Sequence, residues 1–492
     1  MRRSFQSGVL KISTGARLYA IGIQCQNTPV THPTTKETLT VSSTSADTAA
    51  HPPVSRKDLF KAFTASLSGT TLEWYDFAIY SAAAAIVFPV LFFPDSDPMT
   101  GVLLAFSTYA VGYVSRPVGG VVFGRLGDRI GRKQVLVWTL VLIGIATFLI
   151  GVLPSYTSIG VAAPIILVLL RFAQGVGVGG EWGGAVLLSG EYGEPERRGF
   201  WSSAAQVGPP AGNLLANGAF ALLSLLLTDE SFMSWGWRVA FLVSALLVAF
   251  GLWIRLKLED TPVFRAVADS GERPEKPITE LLQTEMKPLI AAILSRIGPD
   301  VTYALFTVFT LAYGTLVLDL ERTTVLSAVM LGSAFQLALI PLAGHLSDKI
   351  NRRGLYGAAA VCAAVWAFAF FLLLHTNPVM WMFIGIPIGL VFHSFMYGPQ
   401  AAYVIEQFHP RLRYTGASLA YTIAGVLGGA IAPAMFTLLL DRTGTWIFVA
   451  VYLTVACALT IIGLVMGRDN NVDEDHEYLA TARQRGLLET GA

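Results

Sequence analysis

Twelve stretches of about twenty mostly apolar residues dominate this chain and leave few folds open to it. They lie near 64–93, 101–124, 134–153, 162–190, 200–226, 236–256, 288–317, 322–346, 355–375, 379–407, 412–440 and 445–466. Each is long enough to cross the hydrocarbon core of a bilayer as a helix. In hydrocarbon every backbone N–H and C=O must bond internally, so only helices and closed barrels span it. The runs are continuous and do not alternate, which argues against a barrel. Several contain Gly and Pro, which membrane helices tolerate better than soluble ones. Composition agrees: 53% of residues are hydrophobic and 14% charged, whereas soluble chains are about a quarter charged. The sequence thus predicts an all-α membrane protein of twelve transmembrane helices.

The net charge of +1 gives no basic excess for nucleic acid. Cys25, Cys362 and Cys457 have neither metal nor disulfide spacing, so no metal and no cofactor is expected. Residues 1–57 differ from the rest. Thr28 to Thr48 is crowded with Ser and Thr, which predicts a disordered tail. Arg2, Arg3, Lys11 and Arg17 precede it, without the long apolar core of a signal peptide. Two six-helix halves follow at 58–256 and 288–466, joined by a linker at 257–287 and trailed by a tail at 467–492. Within the linker, Thr261-Pro262 looks like an N-cap and first turn of a short surface helix.

Loop charges predict the orientation. The loop after run 2 holds Arg125, Arg129, Arg132 and Lys133; later even loops hold Arg197, Arg198, Lys349, Arg352, Arg353, Arg411 and Arg413. The odd loops are poor in Lys and Arg, with Asp95 and Asp97 in the first and Asp229 and Glu230 in the third. Both termini should therefore be cytoplasmic in a multi-pass protein of the cell membrane. Trp235 and Trp237 precede run 6 on the outer side and fit an interfacial belt.

The halves repeat. Gly124-Arg-Leu-Gly-Asp128-Arg129-Ile-Gly131-Arg132-Lys133 returns as Gly344-His-Leu-Ser-Asp348-Lys349-Ile-Asn351-Arg352-Arg353, an offset of 220 residues. Independently, Glu191, Pro195 and Arg198 return as Glu406, Pro410 and Arg413 at an offset of 215. Parallel six-helix halves are one way carriers build alternating access around a midplane site.

The first of these loops and Arg171-x-x-Gln174-Gly175-x-Gly177 resemble the major facilitator superfamily. Leu72-Glu73-Trp74-Tyr75-Asp76-Phe77, Ser115-Arg116-Pro117-x-Gly119-Gly120 and Gly179-Gly180-Glu181-Trp182 resemble its metabolite:proton symporter family. So do Trp235-Gly236-Trp237-Arg238, Leu258-Glu259-Asp260-Thr261-Pro262 and Arg413-Tyr414-Thr415-Gly416. The likeness runs from about residue 58 to 466. It implies the major facilitator fold and proton-coupled uptake of a small organic acid, by a chain working as a monomer with substrate, protons and lipid as its partners. A proline- or betaine-type osmolyte carrier and an uncoupled facilitator remain open, as does a sensor with a transporter-like body. No zinc-protease motif, Cys pair or P-loop argues for an enzyme.

Charges within the membrane are expensive and mark pathways or buried pairs. At about 100° per residue, Glu73, Asp76 and Tyr80 share one face, as do Tyr109, Tyr113 and Arg116. Arg171, Gln174 and Glu181 fall in one sector of run 4, and Gln206, Asn213 and Asn217 on one stripe of run 5. The resemblance implies proton coupling at Asp76 with Arg171, with Glu73 and Glu181 as further candidates. A permanent structural ion pair is the alternative. Arg116 suits a substrate carboxylate, or a fixed pair with Glu73 or Asp76. Tyr80, Gln174, Asn213, Asp300, Tyr303, His393 and Tyr397 are candidate pocket residues. Arg296 and Asp300, four apart, fit a self-contained pair, and His393 a satisfied interior histidine. In the loops, the resemblance implies that Gly124, Asp128, Arg129, Arg132, Asp348 and Arg352 latch the halves; the alternative is that these charges only enforce topology. Symmetry would bring Asp128 to the start of run 11 and Asp348 to the start of run 5.

Overall fold

A computed structural model describes residues 56–96, 98–192, 195–256 and 276–468. The apolar runs are helices, and no strand occurs among the described residues. The first six are α1 (Arg56–Ile86), α2 (Pro98–Val114, resuming as Arg116–Ile130), α3 (Arg132–Val152), α4 (Ala162–Tyr192), α5 (Arg198–Leu226) and α6 (Trp237–Leu256). The second six begin with α7 (Met286–Ala304, then a π turn Leu305–Phe309 and Thr310–Leu316), α8 (Arg322–Lys349) and α9 (Arg352–Leu374). They end with α10 (Pro378–Glu406), α11 (Arg413–Ala424, a π turn Gly425–Ala430, then Ala432–Thr443) and α12 (Ile447–Met466).

Nine helices among the described residues are long and apolar enough to cross a membrane on those grounds alone. The other three runs are α1, α2 and α5. α1 and α5 are diluted by buried polar side chains, Glu73 and Asp76 in the one and Gln206 in the other. α2 is interrupted at Ser115, just before Pro117.

α1 begins eight residues before the apolar run that predicts it. It ends at Ile86, and Phe88–Phe92 forms a separate turn with Pro89 near its start. The linker contains a helix, Pro277–Thr284, that the sequence analysis did not single out. Its Leu281 is fully buried, and its Glu280 bonds Arg411 at 2.6 Å. The Thr261-Pro262 signal and the tails at 1–55 and 469–492 lie outside the described residues.

The two halves meet along α5–α8 and along α2–α11, while within the first half α1 packs lengthwise on α5. These approaches need small residues. A Cβ on Gly212 of α5 would lie 2.6 Å from the Tyr75 amide of α1. A Cβ on Gly179 of α4 would collide with the Arg116 carbonyl of α2. With no hydrophobic drive between helices in lipid, such close backbone packing supplies the association.

Trp237 departs from the interfacial expectation. It is fully buried and packs edge-on against Phe88, Phe92 and Phe241, whereas Trp235 is half exposed. The aromatic cluster at this end of α1 takes the first tryptophan of α6 into its core.

Candidate functional site

Between the halves lies a cavity of about 630 Å³ lined from α1, α2, α5, α7, α8, α10 and α11, within the usual range for small-molecule sites. It reaches Ile86, Ser224, Leu311 and Thr323 at the odd-loop ends of their helices. Its wall is aromatic, with a few polar groups. Trp74 and Phe77 come from α1, Tyr109, Tyr113 and Arg116 from α2, and Asn213 and Asn217 from α5. Arg296, Asp300 and Tyr303 come from α7, and His393 and Tyr397 from α10.

Arg116 is the distinctive group. Its guanidinium lies 4.3 Å from the Phe77 ring centre and 4.1 Å from that of Tyr113, with Trp74 at 5.9 Å. Such stacking holds a cation by the ring quadrupoles. Nε and Nη2 are buried without a hydrogen-bond partner among the described residues, and no carboxylate there forms an ion pair with it. Asp76, one of its expected partners, is bonded instead to Thr147 and Ser244. Arg296 is different: its Nε bonds Asp300 Oδ2 at 2.9 Å, and its guanidinium sits over the Tyr421 ring at 3.3 Å. The i,i+4 spacing forms the self-contained pair, and the pair faces the cavity.

Asn213 Nδ2 donates to Tyr303 Oη at 2.9 Å, joining the halves across the cavity. His393 stacks on Tyr397 at 4.9 Å and shares a 2.7 Å bond between its Nδ1 and Gln336 Nε2 of α8. Beneath the cavity Trp182 of α4 stacks on Tyr421 of α11 at 4.1 Å. Trp182 Nε1 donates to Gln206 Oε1, whose amide donates to the Tyr397 carbonyl and to Gln400.

Asp76 faces away from the cavity, into the first half. Its Oδ2 accepts from Thr147 Oγ1 of α3 at 2.8 Å and its Oδ1 from Ser244 Oγ of α6 at 2.5 Å. Arg171 is buried beside Phe77, Tyr80 and Tyr109, its guanidinium 3.9, 4.0 and 5.0 Å from their ring centres. The expected contact between Asp76 and Arg171 is indirect. Arg171 Nη1 donates to Gln174 Oε1 at 3.0 Å, Gln174 Nε2 donates to Thr147 Oγ1 at 2.6 Å, and Thr147 reaches Asp76. Tyr80 and Gln174, expected to touch substrate, lie behind the wall; Tyr80 Oη bonds Thr108 at 2.6 Å. Glu181 is buried lower on α4, where its Oε2 accepts from Thr139 at 3.0 Å. Glu73 is buried on α1.

At the even-loop ends the halves are bonded together. Asp348 accepts from the Gly199 and Phe200 amides at 2.7 and 2.9 Å, in the first turn of α5. A carboxylate there meets both unsatisfied amides and the positive end of the helix dipole. Arg352 bridges Asp348 at 2.9 Å and Glu406. Glu406 is 3.9 Å from Arg198, and Glu191 is 3.5 Å from Arg413. The residues aligned by the second repeat are thus one another's partners, each Glu meeting the other half's Arg. On the symmetry-related side, a Cβ on Gly124 of α2 would lie 3.2 Å from the Thr415 backbone of α11. The side chains of Asp128 and Arg132 lie outside the described residues, and Arg129 is exposed.

Sequence reasoning missed Thr147 and Ser244, because a hydroxyl in an apolar helix gives no signal until its neighbour is known. It also missed the Trp182–Tyr421 stack.

The family model described as Major Facilitator Superfamily matches residues 68–433. An inner membrane metabolite transport protein of Escherichia coli (strain K12) is 40% identical over 412 residues, covering 82% of this chain and 93% of that protein. The shikimate transporter of the same strain is 38% identical over 414 residues, covering 83% and 94%. A proline/betaine transporter of Salmonella typhimurium is 32% identical over 421 residues, covering 83% of each. Among solved structures, the proton:xylose symporter bound to 6-bromo-6-deoxy-D-glucose superposes with a TM-score of 0.67 at 16% identity, covering 83% of this chain and 95% of that one. A cavity between paired six-helix halves, bonded shut at one end, together with these likenesses makes the chain a membrane transporter of metabolites belonging to the Major Facilitator Superfamily.

Proposed function

We propose that this transporter imports a small organic acid together with a proton, by alternating access. The observation that carries the reading is Arg116. A guanidinium on a cavity wall, oriented by rings and without an ion-pair partner among the described residues, is ready for a carboxylate. Arg296 and Asp300 balance one another, so the cavity favours an anion. Asn213, Tyr303 and His393 offer hydrogen bonds to hydroxyl or keto groups. The shikimate transporter among the relatives is consistent with that chemistry.

The proline/betaine relatives suggest a zwitterion instead. A quaternary ammonium ligand would want an aromatic cage, but the rings of Phe77 and Tyr113 already hold Arg116. That favours the acid.

Asp76 is the proposed proton site: a buried carboxylate with neutral donors on both oxygens, set apart from the substrate. The cavity at the odd-loop ends and the bonds at the even-loop ends describe an outward-open state, given cytoplasmic even loops. Asp348, Arg352 and the crossed Glu–Arg pairs are the inner latch.

The test is uptake into proteoliposomes under an imposed proton gradient, with labelled shikimate, oxoglutarate, citrate, proline and betaine offered separately. Carboxylate uptake that collapses with a protonophore supports the reading. Uptake indifferent to the gradient makes the protein a facilitator, and uptake of betaine or proline alone makes it an osmolyte carrier.

A further inference from the structure

We propose that Thr147 is a switchable hydrogen-bond relay that lets Asp76 exist charged or neutral in the same packed site, and that carries its state to Arg171. This rests on the reading of Asp76 as the proton site.

The argument is one of donor and acceptor counting. A threonine hydroxyl has one hydrogen to give and two lone pairs to offer. Thr147 Oγ1 has three neighbours: Asp76 Oδ2 at 2.8 Å, the Ile143 carbonyl at 2.9 Å and Gln174 Nε2 at 2.6 Å. Gln174 Nε2 only donates. The single hydroxyl hydrogen therefore chooses between Asp76 and Ile143.

Each choice matches one state of the carboxyl. With Asp76 ionised, Thr147 gives its hydrogen to Oδ2, and Ser244 gives its own to Oδ1 at 2.5 Å. With a proton on Oδ2, the new O–H donates to Thr147 Oγ1, whose own hydrogen turns to the Ile143 carbonyl. Gln174 keeps its bond to the second lone pair. Neither state leaves a buried polar group of this set unmatched, which would cost on the order of 1–3 kcal/mol. When the proton leaves, the same turn reverses. No bond other than the O–H of Asp76 is made or broken.

The relay also solves a problem of distance. Arg171 is packed against Phe77 and Tyr109, which line the cavity. It touches Gln174 and not Asp76. A substrate that moves the aromatic wall thus acts on Arg171, and Gln174 and Thr147 pass the change to the carboxyl. The charged group facing Asp76 from α4 is Arg171; Thr147 from α3 and Ser244 from α6 are neutral. On α1 itself the neighbouring Tyr75 hydroxyl is committed to the Ala240 carbonyl at 2.9 Å.

Thr147 is a positioning residue, so its test reads the carboxyl itself and needs no known substrate. Infrared difference spectra between acid and alkaline pH are recorded on the full-length protein in liposomes. The carbonyl-stretch band of protonated Asp76 is assigned by its loss in Asp76→Asn. Thr147→Val, similar in shape but without the hydroxyl, is expected to move that band to higher wavenumber, because the carboxyl O–H loses its acceptor. Thr147→Ser is expected to keep it in place. Thr147→Cys, with a weak acceptor, should give an intermediate position and serves if Thr147→Val does not insert. A band that stays put in both Thr147→Val and Thr147→Cys overturns the relay while leaving Asp76 as the proton site. Spectra unchanged by Asp76→Asn overturn the proton site itself.

Discussion

At the scale of single residues, two side chains carry most of the proposed chemistry, and both yield clear expectations. Asp76→Asn cannot take up or release a proton. Uphill uptake is expected to vanish, while exchange of labelled for unlabelled substrate persists. Accumulation against a gradient by this variant would rule out Asp76. Arg116→Ala removes a charge-assisted contact of about 1.5–3 kcal/mol, so carboxylate affinity should fall roughly 10- to 100-fold in equilibrium binding. Arg116→Lys should recover little, because an ammonium neither forks nor stacks between Phe77 and Tyr113 as a guanidinium does. The types of both residues were legible in the sequence, since a charge inside an apolar run is conspicuous. Their partners were not. Asp76 and Arg171 look like an ion pair on paper, yet Gln174 and Thr147 stand between them. Tyr80 shares a helical face with Asp76, but that face turns toward α2 and the interior of the first half, where Tyr80 bonds Thr108.

At the scale of elements, helix ends and helix contacts decide the behaviour. The first turn of α5 exposes two amides to Asp348, and Arg352 holds the carboxylate from the other side. Asp348→Asn keeps the shape and loses the charge. Initial transport rates, normalised to inserted protein, should fall. Unchanged rates would remove the latch from this interface. Gly179 of α4 is a packing requirement rather than a chemical one. Gly179→Leu forces α4 away from the Arg116 carbonyl and should lower the melting temperature of the purified protein by several degrees, with Gly179→Ala milder. The π turns at Leu305–Phe309 and Gly425–Ala430 interrupt α7 and α11, and Thr307, Gly425 and Gly429 line the cavity. π turns are often found at functional sites. No sequence pattern announced them, because a π turn has the composition of the helix around it.

At the scale of the whole molecule, the two halves are tied at one end and parted at the other. Glu191 with Arg413 and Glu406 with Arg198 cross between them, and these buried charges need their partners. Glu406→Gln keeps an acceptor oxygen but removes the negative charge shared by Arg198 and Arg352. The balance should shift toward the state open at the even-loop end. A cysteine placed at Gln400, in a background lacking the native thiols, should then react faster with an impermeant maleimide applied from that side. An unchanged rate would mean that these pairs do not hold the gate. The sequence by itself determined the helical fold, the two halves and the loops that answer one another, because an apolar run in lipid has one way to satisfy its backbone and a repeat survives in the order of residues. Only the tertiary structure decided which charges are free and which are spent. Charge pairing depends on which helix faces approach within a few ångströms, and that is fixed by the packing of all twelve helices together.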